Sequence, residues 1–151
     1  MTDKSDVCQF RLTVAEISPL IWRRIWMPGE QTLADLHYTI QITMDWTDCY
    51  LSHFDLRGKS YCVYKPGGFM MEEANEILLQ DLHLRLNECF RYEYNMYVPW
   101  QVTIRYEKLV PLQANLTYPY CAQGKQPGPL EICASPDAYQ ARRDYYTNEC
   151  Q

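Results

Sequence analysis

The stretch Leu20–Asp48 reads LIWRRIWMPGEQTLADLHYTIQITMDWTD and contains three of the four tryptophans. In residues 20–27 apolar side chains occupy both alternating faces, which is typical of a strand that is covered on both sides. Pro28 and Gly29 follow, and they end a strand because proline removes a backbone donor and both residues favour turns. The stretch therefore predicts a strand that leads through a tight turn into a helix.

The helix is predicted from its first residues. Thr32 is a suitable N-cap. Asp35 follows three residues later, where its carboxylate can accept a hydrogen bond from the Thr32 amide and complements the helix dipole. Five residues then recur at the spacing of one helical face: Leu33, Leu36, His37, Ile40 and Met44. We expect this face to pack on a sheet.

The flanking residues show the two-residue alternation of strands. The predicted strands are residues 7–15, two within 52–64, and a hairpin of 90–96 with 100–107, while a short helix begins near Gln80. The predicted order is strand, strand, helix, strand, strand, short helix, strand, strand. It indicates an α+β fold with a largely antiparallel sheet and the main helix on one face.

The composition shifts at Pro111: five of the nine prolines occur from this residue onward, and periodicity is weak. We expect residues 1–6 to be a flexible leader, 7–112 to be one α+β domain, and 113–151 to be a proline-rich tail packed on that domain. Within the tail, residues 136–146 are predicted to form a last helix, because Ser135 is a suitable cap and Pro136 suits the first helical position.

Charge and composition make several classes of function unfavourable for this chain. The net charge of −5 disfavours a broad electrostatic grip on nucleic acid. No apolar run approaches the length of about 20 residues that crosses a bilayer, and the polar start lacks a signal-peptide core, so we expect no membrane association and a cytoplasmic location. The seven cysteines include no Cys-x-x-Cys pair, which indicates reduced thiols.

Several motifs occur together in a fixed order: PLIWRRIWMP (19–28), TLADLH (32–37), MDWTD (44–48), FRYEYN (90–95), and Trp100 with EKLVP (107–111). As a set they resemble the plasmid open-reading-frame-three-like family, named from a root-inducing plasmid. Members of that family also travel as insertion-sequence passengers and often carry a resolvase label. The resemblance implies a compact α+β fold and a link to mobile elements, but no established reaction.

A resolvase mechanism is not predicted from the residues. A serine recombinase needs an early serine beside arginine on a strand, yet the early serine here, Ser5, lies in the polar leader. The His-x-x-Arg pattern of tyrosine recombinases is absent. We therefore expect no catalytic residues of this kind.

Two sets of residues are candidates for a site. Asp45, Asp48 and His53 combine carboxylates with an imidazole, which suits a metal ion, although turn capping by the aspartates is the simpler interpretation. The candidate binding residues are Tyr50, His53, Tyr97 and Trp100, which lie in or beside the segments that depart from the family pattern. His37 is predicted to lie in the core or at its boundary.

Arg23 and Arg24 point to opposite faces of one strand, so at least one must form an ion pair across a covered face. Asp35 and Glu93 are the acids we consider for it.

The leading hypothesis is a non-enzymatic accessory protein of a mobile element that binds another macromolecule, and the aromatic strands and acidic charge favour a protein as that partner. The alternatives are a metal-dependent hydrolase or nucleic-acid-processing enzyme, and a single-strand binder that stacks bases on Tyr and Trp. No cofactor is expected, and the oligomeric state does not follow from the sequence.

Overall fold

The structure, a computed structural model, describes residues 6–63, 72–95 and 99–129. These residues contain one α-helix, α1 (Leu33–Thr43), and two short 3₁₀ helices, Ala74–Glu76 and Leu79–Leu82. The strands are β1 (Asp6–Val14), β2 (Trp22–Pro28), β3 (Ser52–Leu56), β4 (Lys59–Cys62), β5 (Glu72–Glu73), β6 (Cys89–Tyr94), β7 (Trp100–Pro111) and β8 (Tyr120–Lys125).

The described strands form one eight-stranded sheet in the order β5-β4-β3-β6-β7-β1-β2-β8. Neighbouring strands are antiparallel except for β4 and β5, which run parallel. The mixed α+β class and the largely antiparallel sheet are therefore confirmed. Helix α1 follows β2 directly and packs its inward side chains against the sheet.

Helix α1 begins with the predicted cap. The Asp35 amide donates to Thr32 Oγ1 at 3.1 Å, and the Thr32 amide donates to Asp35 Oδ2 at 2.9 Å. Both hydrogen bonds satisfy amides that the first helical turn leaves without partners. All five residues of the predicted stripe are buried: Leu33, Leu36, His37, Ile40 and Met44.

The element order departs from the prediction in three places. Where one short helix was predicted to begin near Gln80, the structure has two 3₁₀ helices, Ala74–Glu76 and Leu79–Leu82. Glu72 and Glu73, for which no strand was predicted, form a two-residue strand, and Glu72 lies 3.8 Å from the Lys59 ammonium. Residues 120–125, which fall in the predicted tail, pair with β2 as strand β8. Short pairings of this kind depend on a neighbouring strand and leave little periodic signal.

Arg24 forms its ion pair with neither of the acids we considered. Its Nε lies 2.8 Å from Glu107 Oε1, and its guanidinium stacks over the Trp22 ring with 5.4 Å between Arg24 Cζ and the ring centroid. The register between β1 and β7 shifts beside Gln9, where Glu107 is the extra residue of a bulge. Glu107 is therefore placed against β2, which sequence spacing does not indicate.

The last described residues pack on the end of α1. The Trp46 indole donates to the Pro129 carbonyl at 2.9 Å, and the Trp46 ring stacks on Tyr94. A Cβ at Gly128 would overlap the Met44 backbone, so this close approach requires glycine. Residues 1–5 of the predicted leader and the predicted helix 136–146 lie outside the described residues, whereas Asp6 is the first residue of β1.

Candidate functional site

A buried polar network surrounds His37 on the helix side of the sheet. His37 Nδ1 lies 2.8 Å from Tyr92 Oη and 3.3 Å from Ser52 Oγ. On the other side of the ring, Nε2 lies 3.0 Å from Asp48 Oδ1. One imidazole on α1 therefore contacts β6, β3 and the loop that follows the helix.

Gln41 extends this network, because it lies one helical turn after His37. Its Nε2 donates to Tyr92 Oη at 2.8 Å, and its Oε1 accepts from the Asp48 amide at 2.9 Å. Burial raises the pKa of Tyr92 far above its ordinary value, so its hydroxyl stays protonated. The network holds the loop after α1 against the sheet.

Ser52, His37 and Asp48 are the residue types of a nucleophilic triad, but their arrangement does not suit that chemistry. Tyr92 Oη is closer to Nδ1 than Ser52 Oγ is, and Ser52 is buried. A nucleophile must reach the substrate as well as its base. The network therefore positions the loop and supplies no accessible nucleophile.

A second polar cluster lies on the opposite face of the sheet. His53 Nε2 is 3.0 Å from Asp55 Oδ2 and 3.2 Å from Glu93 Oε2. Since successive residues of a strand point to opposite faces, His53 and Asp55 share the face that Ser52 does not. His53 pairs with Glu93 in the β3–β6 register, which brings the second carboxylate alongside.

The structure separates the residues of the predicted metal set. Asp48 contacts His37 on the helix side, whereas His53 points to the other face and has Asp55 and Glu93 beside it. Asp45 is exposed in a turn, with a φ of 60°. A metal ion held by Asp45 and Asp48 together with His53 would need ligands from both faces of the sheet, which is a physical obstacle to that prediction.

The predicted binding residues have different surroundings. Tyr50 is exposed, and its ring packs edge-on against Tyr94 at 5.7 Å between centroids. His53 is almost entirely buried in the second cluster. Trp100 is fully buried and its ring lies against Trp46, so it belongs to the core and presents no surface to a partner. Tyr97 lies outside the described residues.

Sequence reasoning missed a groove between α1 and the β2–β8 edge of the sheet. It has a volume of about 330 Å³ and is lined by Ile25, Asp35, Tyr38, Thr39, Ile42, Thr43, Pro119 and Cys121. Tyr38 is 45% exposed and Ile42 is 79% exposed. The sequence signal was present, because these two large apolar residues are four apart and lie outside the buried stripe.

A larger cavity of about 760 Å³ lies near Arg24 and Tyr120. Its charged and polar groups already pair with one another, since Glu107 accepts from both Arg24 and Gln9, and Gln9 accepts from the Trp26 indole at 2.9 Å. These side chains stabilise the packing of β1, β2 and β7. Because their polar groups bind one another, we do not choose this cavity as the candidate site.

The family model described as plasmid pRiA4b ORF-3-like protein matches residues 6–150. The chain belongs to this family. An uncharacterized protein, y4hQ, of Sinorhizobium fredii (strain NBRC 101917 / NGR234) is 24% identical over 109 residues. That alignment covers 71% of this chain but only 56% of the relative, so the chain spans little more than half of that curated protein.

A solved structure has a similar fold. The crystal structure of MM3350, a protein of unknown function from Methanosarcina mazei Go1, superposes with a TM-score of 0.84 at 28% sequence identity. The match covers 94% of this chain and 82% of that protein. The Methanosarcina protein therefore shares the fold of this chain, and neither its title nor the name of the Sinorhizobium relative states a reaction.

The described part of the chain contains no helix with the length and apolar character needed to cross a membrane.

Proposed function

We propose that this protein is a non-enzymatic accessory protein of a mobile genetic element that binds a partner protein in the groove between α1 and β8. The observation that carries the proposal is the exposure of Tyr38 and Ile42 beside this mainly apolar groove. Exposed apolar side chains that adjoin a groove are characteristic of interaction sites, because water leaves such surfaces when a partner packs on them.

Strand β8 indicates the form of the partner. It is the last strand in the sheet order, and β2 is its only strand partner among the described residues. Among the described residues no further strand pairs with its outer edge, and Pro119 and Cys121 of the groove lie at this side of the sheet. An extended segment of a partner protein would pair with β8 and place apolar side chains in the groove.

Charge supports a protein partner over a nucleic acid. The chain carries a net charge of −5, and Asp35 lines the groove. A phosphate backbone is attracted by clusters of Lys and Arg, whereas apolar and aromatic side chains suit a protein contact. Membership of a family named from a plasmid supports the mobile-element role, and we include carriage as a transposon passenger in the proposal.

A photo-crosslinking amino acid at position 38 tests the site in the host cell. The crosslinked peptide identifies the bound segment, and titration calorimetry with a synthetic copy of that segment measures its affinity. Ile42→Glu should weaken binding by about tenfold or more, since burying a charge in an apolar contact costs at least about 1.4 kcal/mol. Leu86→Glu is the matched control, because Leu86 is 67% exposed and does not line the groove.

Equal affinity of the Ile42→Glu and wild-type proteins would contradict the proposal. Crosslinks found only within the same polypeptide or to a second copy would also contradict it. Oligonucleotide binding at low salt that Ile42→Glu leaves unchanged would favour the single-strand alternative instead.

A further inference from the structure

The His53 cluster lies apart from the groove and is built by strand pairing. In the β3–β6 register His53 is opposite Glu93, so their side chains are neighbours on one face. Asp55 is two residues further along β3 and returns to the same face. One potential ligand atom from each of the three side chains lies within 4.8 Å of the other two.

The imidazole is deeply buried and aimed between the carboxylates. His53 is only 7% exposed, and its Nε2 faces both Asp55 Oδ2 and Glu93 Oε2. This nitrogen carries at most one proton, so it cannot make a full hydrogen bond to each carboxylate. Two carboxylates this close also repel one another unless positive charge lies between them.

A neighbouring side chain orients one of the carboxylates toward His53. Ser60 Oγ donates to Asp55 Oδ1 at 2.7 Å, which leaves Oδ2 directed at His53. Within the described residues Nδ1 of His53 is buried without a hydrogen-bond partner, so the polar contacts of this ring are concentrated on Nε2. A hydrogen-bonded carboxylate beside an oriented imidazole is typical of metal ligands, although a ligating imidazole also usually donates from its other nitrogen.

The separations suit a coordination sphere. Ligands at about 2.0–2.1 Å from a zinc ion are about 3.3 Å apart at tetrahedral angles. The two Nε2–oxygen distances, 3.0 and 3.2 Å, are close to this value. One imidazole and two carboxylates favour a borderline divalent transition metal over Ca²⁺ or Mg²⁺, which prefer oxygen ligands alone.

We propose that His53, Asp55 and Glu93 bind one divalent transition-metal ion, with Zn²⁺ as the best-suited ion. The ion would add positive charge beside that of Arg91, which is opposite Asp55 in the β3–β6 register. Three protein ligands leave a coordination position for water or another ligand, as in zinc sites that do chemistry. The site retains His53 from the sequence prediction, replaces Asp45 and Asp48 by Asp55 and Glu93, and is the site that the hydrolase alternative would require.

Calorimetric titration of the chelator-treated protein with ZnCl₂ tests the site. We expect one ion per chain for wild type and at least about a tenfold loss of affinity for Glu93→Gln, which keeps the side chain's shape but removes its charge. Glu76→Gln, which removes an exposed carboxylate in a 3₁₀ helix, is the charge-matched control and should bind like wild type.

A second measurement separates this site from zinc held by cysteines. Co²⁺ bound to the wild type should show d–d absorption without a thiolate charge-transfer band, and the His53 imidazole signals in nitrogen-resolved NMR should shift on metal addition. The proposal is overturned if binding does not saturate, if Glu93→Gln binds as tightly as wild type, or if the cobalt spectrum reports thiolate. An unshifted His53 resonance would show that the cluster is a metal-free ion pair.

Discussion

The hydroxyl of Tyr92 lies 2.8 Å from Nδ1 of His37 and joins the centre of strand β6 to the inward face of α1. The same hydroxyl accepts from Gln41, so two helical side chains one turn apart depend on it. All three residues are buried. The helix is therefore held on the sheet by polar contacts as well as by apolar packing.

Tyr92→Phe should lower the free energy of unfolding by about 1–3 kcal/mol, because it leaves buried partners on His37 and Gln41 without their hydrogen bonds. Denaturant titration should show a lower midpoint with an unchanged slope. Tyr106→Phe removes a hydroxyl from another core ring, away from His37, and should have a smaller effect. Equal losses in the two variants would show that the His37 contact contributes nothing specific.

Glu107 should make stability depend on pH. Its hydrogen bond with Arg24, together with that residue's charge, holds the pKa of Glu107 below its ordinary value. A carboxyl whose pKa is lower in the folded state than in the unfolded state stabilises the fold at pH values above its unfolded-state pKa. This contribution is lost as the pH falls through the folded-state pKa.

We therefore expect Glu107→Gln to cost about 1 kcal/mol at neutral pH, and the difference from wild type to shrink below about pH 4. Urea titrations at a series of pH values measure it. Glu76→Gln should follow the wild-type curve throughout. A difference that persists unchanged at low pH would show that the Arg24 pair is not its origin.

The cysteines should differ in reactivity. Burial, and to a lesser degree the charge of Asp6, raises the pKa of Cys8 to about 11, so little reactive thiolate exists near pH 8. Cys49 and Cys121 are exposed. Timed alkylation with iodoacetamide, followed by peptide mass spectrometry, should label these two before Cys8. Comparable rates in the folded protein would contradict the partial burial of Cys8, and denaturant should make the rates equal.

Features that depend on residues close together in the sequence were predicted, whereas contacts between distant segments were not. The Thr32 cap, the inward stripe of α1 and the β6–β7 hairpin were predicted because neighbouring residues determine them. Strand β8 was not predicted, since its pairing with β2 joins segments about a hundred residues apart and its alternation is weak. The bulge that places Glu107 against Arg24 was missed for the same reason.

The candidate sites divide in the same way. The local sequence indicated His53. The carboxylates beside it depend on which strand pairs with β3, and the pairing with β6 places Glu93, and not Asp48, next to His53. Trp100 looked like a surface aromatic beside a divergent segment, but its neighbours in the sheet enclose it.

By itself the sequence determined the family, the α+β class and the helix with its cap, because these depend on short-range periodicity and on motifs in a fixed order. Only the tertiary structure decided which charges meet: Arg24 with Glu107, His37 with Asp48, and His53 with two carboxylates. Electrostatic contacts depend on distance in space, and strand register sets that distance. Leu20–Asp48 therefore accounts for the scaffold, while the pairing of β3 with β6 and of β2 with β8 creates the surfaces where we place function.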